Sequence, residues 1–450
     1  MNDTNPPIDW FRNTAPYINA HRGSTFVVLI PGEAQSPATL PRVLQDLALL
    51  ASLGVRLVLV FGSRPQINSA LAARGITSDF HNGVRISDAS SMQVVREVVG
   101  AQRVELEALL SMGLPNSPMR GARLRVVSGN FITAHPLGVR EGVDFQFSGQ
   151  VRRVDAAAIT TMLDAGAIVL LSSLGSSLTG ESFNVGAGEV AGATARELGA
   201  DKLVLLAPGS GIHDASGALV RQCTTDASPE HIGASDQERQ LLELAIASCA
   251  DGVDRCHIVS FNDPAALLAE LFTIDGSGTL VTRRAYAQAR WASIHDVTGV
   301  LELIQPLEES GVLRKRSREL LENEISRFRL LERDGRITAC AALYPFPDQG
   351  WAELACIVTH PDYRNGRRAR ELLEQLENEA RNQGLHTLFV LTTQTAHWFL
   401  EQGFEAGSTE DLPPQRQGLY NLQRNSKVFI KVLGESCCAS GRAGWRSVKP

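Results

Sequence analysis

The sequence predicts an α/β protein with an N-terminal parallel-sheet α/β sandwich and a C-terminal mixed α/β domain. Through the first part of the chain, short apolar runs rich in Val and Leu alternate with segments of helical period. This alternation fades at the glycine-rich and then basic segment GSGTLVTRR. A second series follows, in which several strand-like runs come together before a long polar helix. We expect domains at 1–281 and 282–433, and a disordered tail at 434–450.

Composition places the chain among globular proteins and excludes several classes. It has 450 residues, 44% of them hydrophobic and 20% charged, which is too long for one ordinary core. A net charge of -6 with scattered signs gives no reason to expect nucleic-acid or membrane partners. The polar N-terminus lacks the apolar core of a secretory signal. Seven cysteines without metal-ligand spacing fit a reducing compartment, so we expect a cytoplasmic protein without metal.

The strands of the predicted N-terminal sheet are apolar along their length, as expected where helices cover both faces. Between the first two strands, the segment ATLPRVLQDLALLASLG carries its apolar residues on one helical stripe. The strand-like runs are FVVLI (Phe26–Ile30), LVLVF (Leu57–Phe61), LRVVS (Leu124–Ser128), AIVLL (Ala167–Leu171), KLVLL (Lys202–Leu206) and HIVS (His257–Ser260).

The C-terminal domain has a different order of elements. A helix at Val297–Glu309 and a basic helix at Arg314–Arg327 come first. The strands RFRLLER, RITACAALYPF and WAELACIVTH follow, and then the long helix RARELLEQLENEARNQG. A strand, LHTLFVLTT, a short helix and a last strand, SKVFIKVL, complete the predicted domain.

The segment LVLVFGSRPQIN joins a buried strand to a helix through Gly62, a junction where helix N–H groups can bind a phosphate. Residues 17–281 resemble the amino-acid kinase family, whose members bind nucleotide phosphates here. The family's first-strand lysine is Leu29 in this chain, and its later aspartate is Gly188. Phosphoryl transfer depends on stabilising negative charge, so no kinase activity is expected.

The same resemblance implies an arginine-binding site. Arginine-sensitive members of the kinase family use an N-terminal tyrosine, a strand histidine and a segment like ELFTIDGSGT. The matching residues here are Tyr17, His257 and Glu270. Glu270 would pair with the guanidinium of arginine, and backbone carbonyls near Gly276 and Gly278 would accept its remaining N–H groups.

The segment ELACIVTHPDYRNGRRARELLEQL predicts an acetyl-CoA site. A strand, a loop rich in arginine and a helix N-terminus can together bind a pyrophosphate. The segment resembles the GNAT family of acetyltransferases at Val358, Pro361, Arg364 and Ala369, and departs from it at Arg367, where that family has glycine. The acetyl-CoA-binding residues implied are Cys356, Ile357, Val358, Arg364, Asn365, Gly366, Arg367, Arg368 and Ala369.

The acceptor is predicted by further segments, LRKRSREL, ALYPFPDQGWAELAC, FVLTTQTAHWF and YNLQRNSKV. Together they resemble the acetyltransferase domain of the bacterial N-acetylglutamate synthase family, which implies L-glutamate as acceptor and acetyl-CoA as donor. Two carboxylates favour guanidinium partners, and Arg316 and Arg424 are the candidates, with Ser426 and Cys356 beside them.

The chemistry needs a base and an acid. Glu353 is the predicted general base that deprotonates the amine, and the bulge that the GNAT resemblance implies in its strand would bring it to the same cleft as Cys356. Backbone N–H groups near Cys356 would stabilise the oxyanion. The tyrosine that serves many GNAT members as acid is Phe399 here, and the resemblance implies Thr392 as the proton donor to the thiolate in its place.

The leading hypothesis is an arginine-inhibited amino-acid N-acetyltransferase that forms N-acetyl-L-glutamate in the first step of arginine biosynthesis. Family resemblance implies a homo-oligomer, a hexamer. Alternatives are a bifunctional kinase–acetyltransferase, a non-catalytic arginine sensor, or an acetyltransferase for another amine.

Overall fold

A computed structural model describes residues 6–112, 121–233, 235–273, 276–283, 288–333, 336–361, 368–418 and 426–433. The predicted tail at 434–450 lies outside these residues. The chain divides into two compact units, 1–285 and 286–450. None of the helices in the described part is long and apolar enough to cross a membrane.

The helices of the described residues are α1 (Pro6–His21), α2 (Leu40–Ser52), α3 (Arg64–Ala73), α4 (Ala89–Ser111), α5 (Ala156–Asp164), α6 (Ala187–Leu198), α7 (Pro229–Ile232), α8 (Asp236–Ala250), α9 (Ala266–Phe272), α10 (Val297–Glu309), α11 (Arg318–Glu324), α12 (Arg368–Asn382), α13 (Ala396–Glu401) and α14 (Pro414–Gln417). The strands of the first unit are β1 (Thr25–Ile30), β2 (Arg56–Phe61), β3 (Phe80–His81), β4 (Val84–Arg85), β5 (Arg125–Val127), β6 (Ile132–Pro136), β7 (Val139–Arg140), β8 (Val143–Asp144), β9 (Gly149–Val154), β10 (Ala167–Ser172), β11 (Leu174–Ser176), β12 (Ser182–Asn184), β13 (Lys202–Ala207), β14 (Gln222–Thr224), β15 (Arg255–Ser260) and β16 (Thr279–Thr282). Those of the second unit are β17 (Gln288–Trp291), β18 (Phe328–Arg333), β19 (Arg336–Phe346), β20 (Trp351–Thr359), β21 (Thr387–Thr392), β22 (Glu405–Gly407) and β23 (Lys427–Val432).

The first unit is built on an eight-stranded sheet in the order β14-β16-β15-β13-β1-β2-β10-β5. All neighbouring strands run parallel except β15 and β16. The central strand β1 is buried at every residue, with Val28 in one apolar cluster and Val27 in the other. Helices α2, α3 and α4 contribute to the first cluster, and α6 and α8 to the second. This is the parallel sheet with two covered faces that the apolar runs predict.

The second unit contains a seven-stranded sheet in the order β17-β18-β19-β20-β21-β23-β22. Only β20 and β21 pair in parallel, and they do so from Trp351 to Leu354 on β20. Both strands continue past this point, to Thr359 and Thr392, without further pairing between them. The two strands are therefore not hydrogen-bonded to each other at their carboxyl ends, and we call this unpaired part of the sheet the wedge. Helix α12 covers one face of the sheet, and α10 and α11 cover the other.

The prediction of a basic helix at Arg314–Arg327 is wrong in its extent. Helix α11 begins at Arg318, because the Ser317 hydroxyl accepts the N–H of Leu320 at 3.1 Å and caps the helix. Residues 314–316 thus precede the helix.

Candidate functional sites

Strand β20 carries the predicted β-bulge. Ala342 of β19 lies opposite Ala355, and Cys340 lies opposite Val358. Two residues of β20 therefore face a single residue of β19. One of the two, Cys356, has a φ of 50°, which lies in the left-handed region. A residue other than glycine adopts this conformation only where the surrounding structure constrains it.

The bulge changes which residues share a face of the sheet. Before it, Ala352 and Leu354 pack in the cluster with α12, whereas Cys356 packs in the cluster with α10 and α11. Glu353 points away from Ala352 and Leu354, because side chains of a strand alternate. Glu353 and Cys356 therefore lie on the same face, which strict alternation would forbid.

Glu353 is held by an arginine that sequence reasoning missed. Its Oε2 accepts from Arg416 Nε at 2.6 Å, and its Oε1 accepts from Arg416 Nη2 at 3.0 Å. The side chains are 11% and 19% exposed, so the bidentate ion pair is largely buried. Each carboxylate oxygen keeps a second lone pair, so the pair orients the carboxylate and leaves it able to accept a proton.

Arg316 is the inward-facing member of the basic segment. It is half-buried, whereas the other basic residues of the segment, Arg314, Lys315 and Arg318, are exposed. Its backbone N–H donates to Glu308 Oε1 at 3.0 Å. The charge of Arg316 acts on the nearby Tyr344 phenol, whose hydroxyl donates to Glu324 Oε2 at 2.7 Å.

The positive charge of the Arg316 guanidinium acts on the thiol of Cys356. Burial raises the pKa of Cys356 to about 11, and the nearby charge of Arg316 opposes that rise. Glu353 is also close enough to act on the Cys356 pKa. Arg316 and Glu353 therefore both lie within electrostatic range of Cys356, and a thiol with this pKa is a poor nucleophile at neutral pH.

Thr392 ends β21 on the far side of the wedge. Its hydroxyl is 2.8 Å from the Thr395 hydroxyl, and its oxygen accepts the Thr395 N–H at 3.1 Å. It pairs with Lys427, the neighbour of Ser426 at the start of β23. Phe399 packs in the apolar core of the unit and offers the cleft no polar group.

The predicted acetyl-CoA residues lie along the wedge where the structure describes them. Val358 is buried and Ile357 half-buried on β20, and Arg368 and Ala369 begin the 15-residue helix α12. Within the described residues, β20 beyond Leu354 has no strand partner on its β21 side, so its backbone groups there can pair with an extended ligand. The remaining predicted binding residues lie outside the described residues: Arg364, Asn365, Gly366, Arg367 and Arg424.

In the first unit, a lysine, a histidine and a glutamate form a buried chain. Lys202 Nζ lies 3.4 Å from His257 Nε2, and His257 Nδ1 lies 2.7 Å from Glu270 Oε1. Burial, together with the Lys202 charge, lowers the pKa of His257 to about 4. Burial would raise the pKa of Glu270, but the interactions with His257 and with the N–H groups of Gly278 and Ser277 together lower it to about 2. At neutral pH the chain is therefore an ammonium, a neutral imidazole and a carboxylate.

The other predicted arginine-binding residues differ in how directly they contact this chain. The Glu270 Oε2 accepts the N–H groups of Ser277 at 2.7 Å and Gly278 at 2.8 Å. Gly276 adopts a positive φ of 64°, and its carbonyl accepts from Arg221 at 3.0 Å. The Tyr17 side chain lies on α1 and packs against the apolar cluster that includes α9. The sequence analysis did not predict Lys202 as part of this site, although a lysine at the start of a buried apolar strand is an unusual feature.

The glycine turn after β2 is closed by side chains of the first unit. Gln66 Nε2 donates to the Gly32 carbonyl at 2.7 Å, and Gln35 Nε2 donates to the Gly62 carbonyl at 2.6 Å. The Gly62 N–H donates to Ile30 O at 2.9 Å, so it is unavailable to a phosphate. With Leu29 in place of a lysine as well, the geometry disfavours phosphoryl transfer.

Arg85, which matches a substrate-binding segment of the kinases, has a structural role. Its guanidinium donates to Asn68 and Ser78 and lies 4.6 Å from the centre of the Phe80 ring. These contacts hold the β3–β4 hairpin against α3.

Comparisons with known proteins give a family match for each of the two units. The Amino acid kinase family model matches residues 24–260, and the Acetyltransferase (GNAT) family model matches residues 297–404. Proteins named amino-acid acetyltransferase from Pseudomonas fluorescens and Azotobacter vinelandii are 53% identical, over 95% of this chain and 99% of theirs.

Solved structures of N-acetylglutamate synthase from Neisseria gonorrhoeae cover 95% of this chain and 99% of their own. The complex with coenzyme A and L-arginine is 36% identical, with a TM-score of 0.83. The complex with coenzyme A and N-acetyl-glutamate is 37% identical, with a TM-score of 0.61. The predicted fold class, a kinase-like parallel-sheet unit with a GNAT-type mixed unit, is confirmed.

Proposed function

This chain belongs to the amino-acid acetyltransferase family, and we propose that it transfers the acetyl group of acetyl-CoA to the α-amine of L-glutamate. The products are N-acetyl-L-glutamate and CoA. The observation that supports the assignment of roles is the β20 bulge, which puts the Glu353 carboxylate on the same face of the sheet as Cys356, a residue on which the Arg316 charge also acts. A base for the amine and a cation for an acidic acceptor are thus both present beside the wedge that would hold the thioester.

Glu353 accepts the proton of the acceptor ammonium, directly or through one water. Free L-glutamate carries a protonated amine near neutral pH, and only the neutral amine attacks a thioester. The bidentate contact with Arg416 fixes the orientation of the carboxylate. The amine nitrogen then bonds to the acetyl carbonyl carbon, and the carbon–sulfur bond breaks.

Arg316 binds a carboxylate of the acceptor, with Ser426 and Arg424 as further partners. A guanidinium matches the two oxygens of a carboxylate. The half-buried position of Arg316 strengthens this contact, because fewer water molecules compete for it. The exposed neighbours, Arg314 and Lys315, lack that advantage.

The acetyl group and the thiolate are stabilised by the two sides of the wedge. Backbone N–H groups near Cys356 and Val358 stabilise the oxygen as it becomes negative. Thr392 donates its hydroxyl proton to the departing thiolate, and Thr395, at 2.8 Å, can supply a proton in turn. Predicted contacts with the pyrophosphate come from Arg364 to Ala369 at the start of α12.

L-arginine binds the kinase-like unit and inhibits the transfer. The carboxylate of Glu270 would pair with the guanidinium of arginine, while Lys202 is suited to its carboxylate. The buried Lys202–His257–Glu270 chain supports this proposal, since it places opposite charges at the two ends of a neutral imidazole. Inhibition requires that arginine binding and catalysis have a coupling free energy.

The test of the acceptor is release of CoA from acetyl-CoA with L-glutamate. We expect glutamate-dependent release, and we expect Arg316→Ala to raise the KM for glutamate by ~10-fold or more. Arg314→Ala is the matched control, because Arg314 belongs to the same basic segment but is exposed. Release with other amines but not glutamate would refute the acceptor, and acetyl-CoA binding without turnover would indicate a sensor.

The proposed assembly is a homo-oligomer, a hexamer as in the related family. Light scattering of the purified full-length chain, with and without arginine, tests this. A monomer at all concentrations would contradict it.

A further inference from the structure

A serine, a histidine and a glutamate form a linked chain in the first unit that neither of the sites above uses. The Ser210 hydroxyl lies 3.1 Å from His213 Nε2, and His213 Nδ1 lies 2.9 Å from Glu238 Oε1. The imidazole thus contacts a hydroxyl through one nitrogen and a carboxylate through the other. A base that touches a nucleophile and is oriented by a third group is the arrangement that activates serine for acyl transfer.

The fold holds the histidine in one orientation. Glu238 accepts from the ring at Nδ1, and its other oxygen accepts the backbone N–H of His213 at 3.3 Å. Glu238 lies in the first turn of α8, where the Ser235 hydroxyl caps the helix and accepts the Glu238 N–H at 3.2 Å. Because Nδ1 donates its proton to the carboxylate, Nε2 of the neutral imidazole is left as the acceptor for the Ser210 hydroxyl.

The loop that carries Ser210 is anchored on one side and exposed on the other. Ile212 is buried, and its N–H donates to Thr279 Oγ1 at 2.8 Å. Gly211 has a φ of 149°, a conformation that residues with a side chain rarely adopt, and a Cβ there would lie 2.6 Å from Thr279 Oγ1. Ser210 itself is exposed, so a substrate can reach its hydroxyl without movement of the fold.

Two backbone donors beside this hydroxyl are not used by the fold. Among the hydrogen bonds of the described residues, none has the N–H of Ser210 or of Gly211 as its donor. In acyl transfer by serine, the N–H of the nucleophile and that of a neighbouring residue commonly stabilise the oxyanion. The same two N–H groups are available here for a negative oxygen that develops on an acyl group at Ser210.

We infer that Ser210, His213 and Glu238 form a second acyl-transfer site, which hydrolyses small acyl esters. The Ser210 oxygen bonds to the acyl carbon, its proton moves to His213 Nε2, and the carbon–oxygen bond to the alcohol breaks as His213 returns the proton to the alcohol. Water then bonds to the acyl carbon with His213 again as base, and the Ser210 oxygen leaves with that proton. The products are an alcohol and a carboxylic acid, and water is the co-reactant.

The exposure of the hydroxyl defines the class of ester. An exposed serine contacts little of its substrate, so few interactions are available to stabilise a poor leaving group. Small esters of acidic alcohols, such as aryl acetates, are therefore the expected substrates. The activity is independent of the proposed function, because it needs neither L-glutamate nor the residues of the second unit.

The test is hydrolysis of p-nitrophenyl acetate by the full chain, measured by the absorbance of nitrophenolate. We expect Ser210→Ala and His213→Gln each to lower kcat/KM by ~10-fold or more, and Glu238→Gln to lower it by ~3-fold or more. A fluorophosphonate probe should label the unsubstituted protein at Ser210, as located by mass spectrometry of its peptides. The label should be lost in His213→Gln, because a serine without its base does not react.

Two control variants are matched to these changes. Ser216→Ala removes another exposed hydroxyl of the same loop, one that donates to Asp214 at 2.6 Å. His81→Gln removes a second histidine of this unit that contacts a glutamate, since His81 Nε2 lies 2.9 Å from Glu141 Oε2. Both variants should keep ester hydrolysis within ~2-fold of the original. Circular dichroism and the thermal midpoint of each variant establish that it folds.

Three results would overturn the inference. The first is fluorophosphonate labelling that does not reach Ser210. The second is hydrolysis that is unchanged in Ser210→Ala or in His213→Gln. The third is an equal loss in His81→Gln, which would mean that surface imidazoles cleave the ester without a serine. Failure of the proposed function has a different signature, because the unsubstituted protein would then show no glutamate-dependent release of CoA, whatever its ester hydrolysis.

Discussion

The glycine turn after β2 and the bulge in β20 both interrupt regular structure next to a buried strand. Side chains close the turn, whereas the sheet stays open beside the bulge. At the turn, Gln35 and Gln66 bridge the two glycine loops, and the Gly62 N–H is already used. At the bulge, β20 and β21 are not paired, and charged side chains gather beside the wedge. A shared fold therefore does not by itself bring a shared chemistry, because the chemistry depends on particular side chains.

A second contrast concerns the buried polar chains of the two units. In the first unit the His257 ring lies between Lys202 and Glu270, and in the second the Tyr344 hydroxyl donates to Glu324 while the Arg316 charge acts on it. In the first chain the carboxylate also accepts two backbone N–H groups, from Ser277 and Gly278.

The largest expected effect is at Glu353. Glu353→Gln keeps the size of the side chain but removes the base, so kcat should fall by ~100-fold to ~10,000-fold. Arg416→Ala should lower kcat by ~10-fold or more, because the carboxylate loses its orientation, and added guanidinium should restore part of it. The control is Glu374→Gln on the exposed face of α12. A kcat within a few-fold of the original in Glu353→Gln would contradict the assignment.

An intermediate effect concerns the stability of the kinase-like unit at acid pH. The pKa of His257 is about 4 when folded and 6.5 ordinarily, so the unfolded chain binds more protons between these values. Stability from this group is present above pH 6.5 and is lost as pH falls to about 4, by about 3 kcal/mol. Hydrogen exchange of β13 and β15 in urea, from pH 7 to 4, measures it.

In that experiment His257→Gln should have a shallower decline of stability with falling pH than the unsubstituted protein. The control is His81→Gln, since His81 lies in the same unit but is partly exposed. Glu270 adds a loss at lower pH, because its pKa is lowered from 4.5 and its stabilisation disappears only below that value. An unchanged slope in His257→Gln would show that the imidazole does not remain neutral in the fold.

The smallest effect is expected at the closed turn. Gln66→Ala removes the bridge to the Gly32 carbonyl and should lower the free energy of unfolding by about 1 kcal/mol. Acetyl transfer should not change, and no ATP-dependent phosphorylation of N-acetylglutamate should appear. The control is Gln93→Ala on the exposed side of α4. Phosphorylation by the opened variant would show that the turn is merely blocked and retains kinase chemistry.

The sequence predicted the parallel sheet because its strands are continuous apolar runs, whose pattern does not depend on distant partners. Strand alternation alone would put Glu353 and Cys356 on opposite faces; the bulge that brings them to one face was implied by the GNAT resemblance, and the register of β19 and β20 confirms it. It did not predict the Glu353–Arg416 pair, because that contact joins residues 63 positions apart and follows only from folding.

Two local features could have been predicted from the sequence. The Ser317 cap ends the basic segment before α11, and a serine followed by Arg-Glu-Leu is a usual helix start. Lys202 was overlooked because it begins a strand run that was read for its apolar residues. The roles proposed for Arg364 to Arg367 and for Arg424 remain predictions, since those residues lie outside the described part of the chain.

The central claim is that one unit carries out acetyl transfer and the other unit binds arginine. An arginine titration of CoA release at fixed L-glutamate and acetyl-CoA, on the full chain and on Glu270→Gln, tests it most directly. We predict that arginine suppresses release by the unsubstituted protein, whereas Glu270→Gln still releases CoA and resists arginine by ~10-fold or more in concentration. Equal inhibition of both proteins would contradict the claim, because arginine would then act at a site that does not include Glu270.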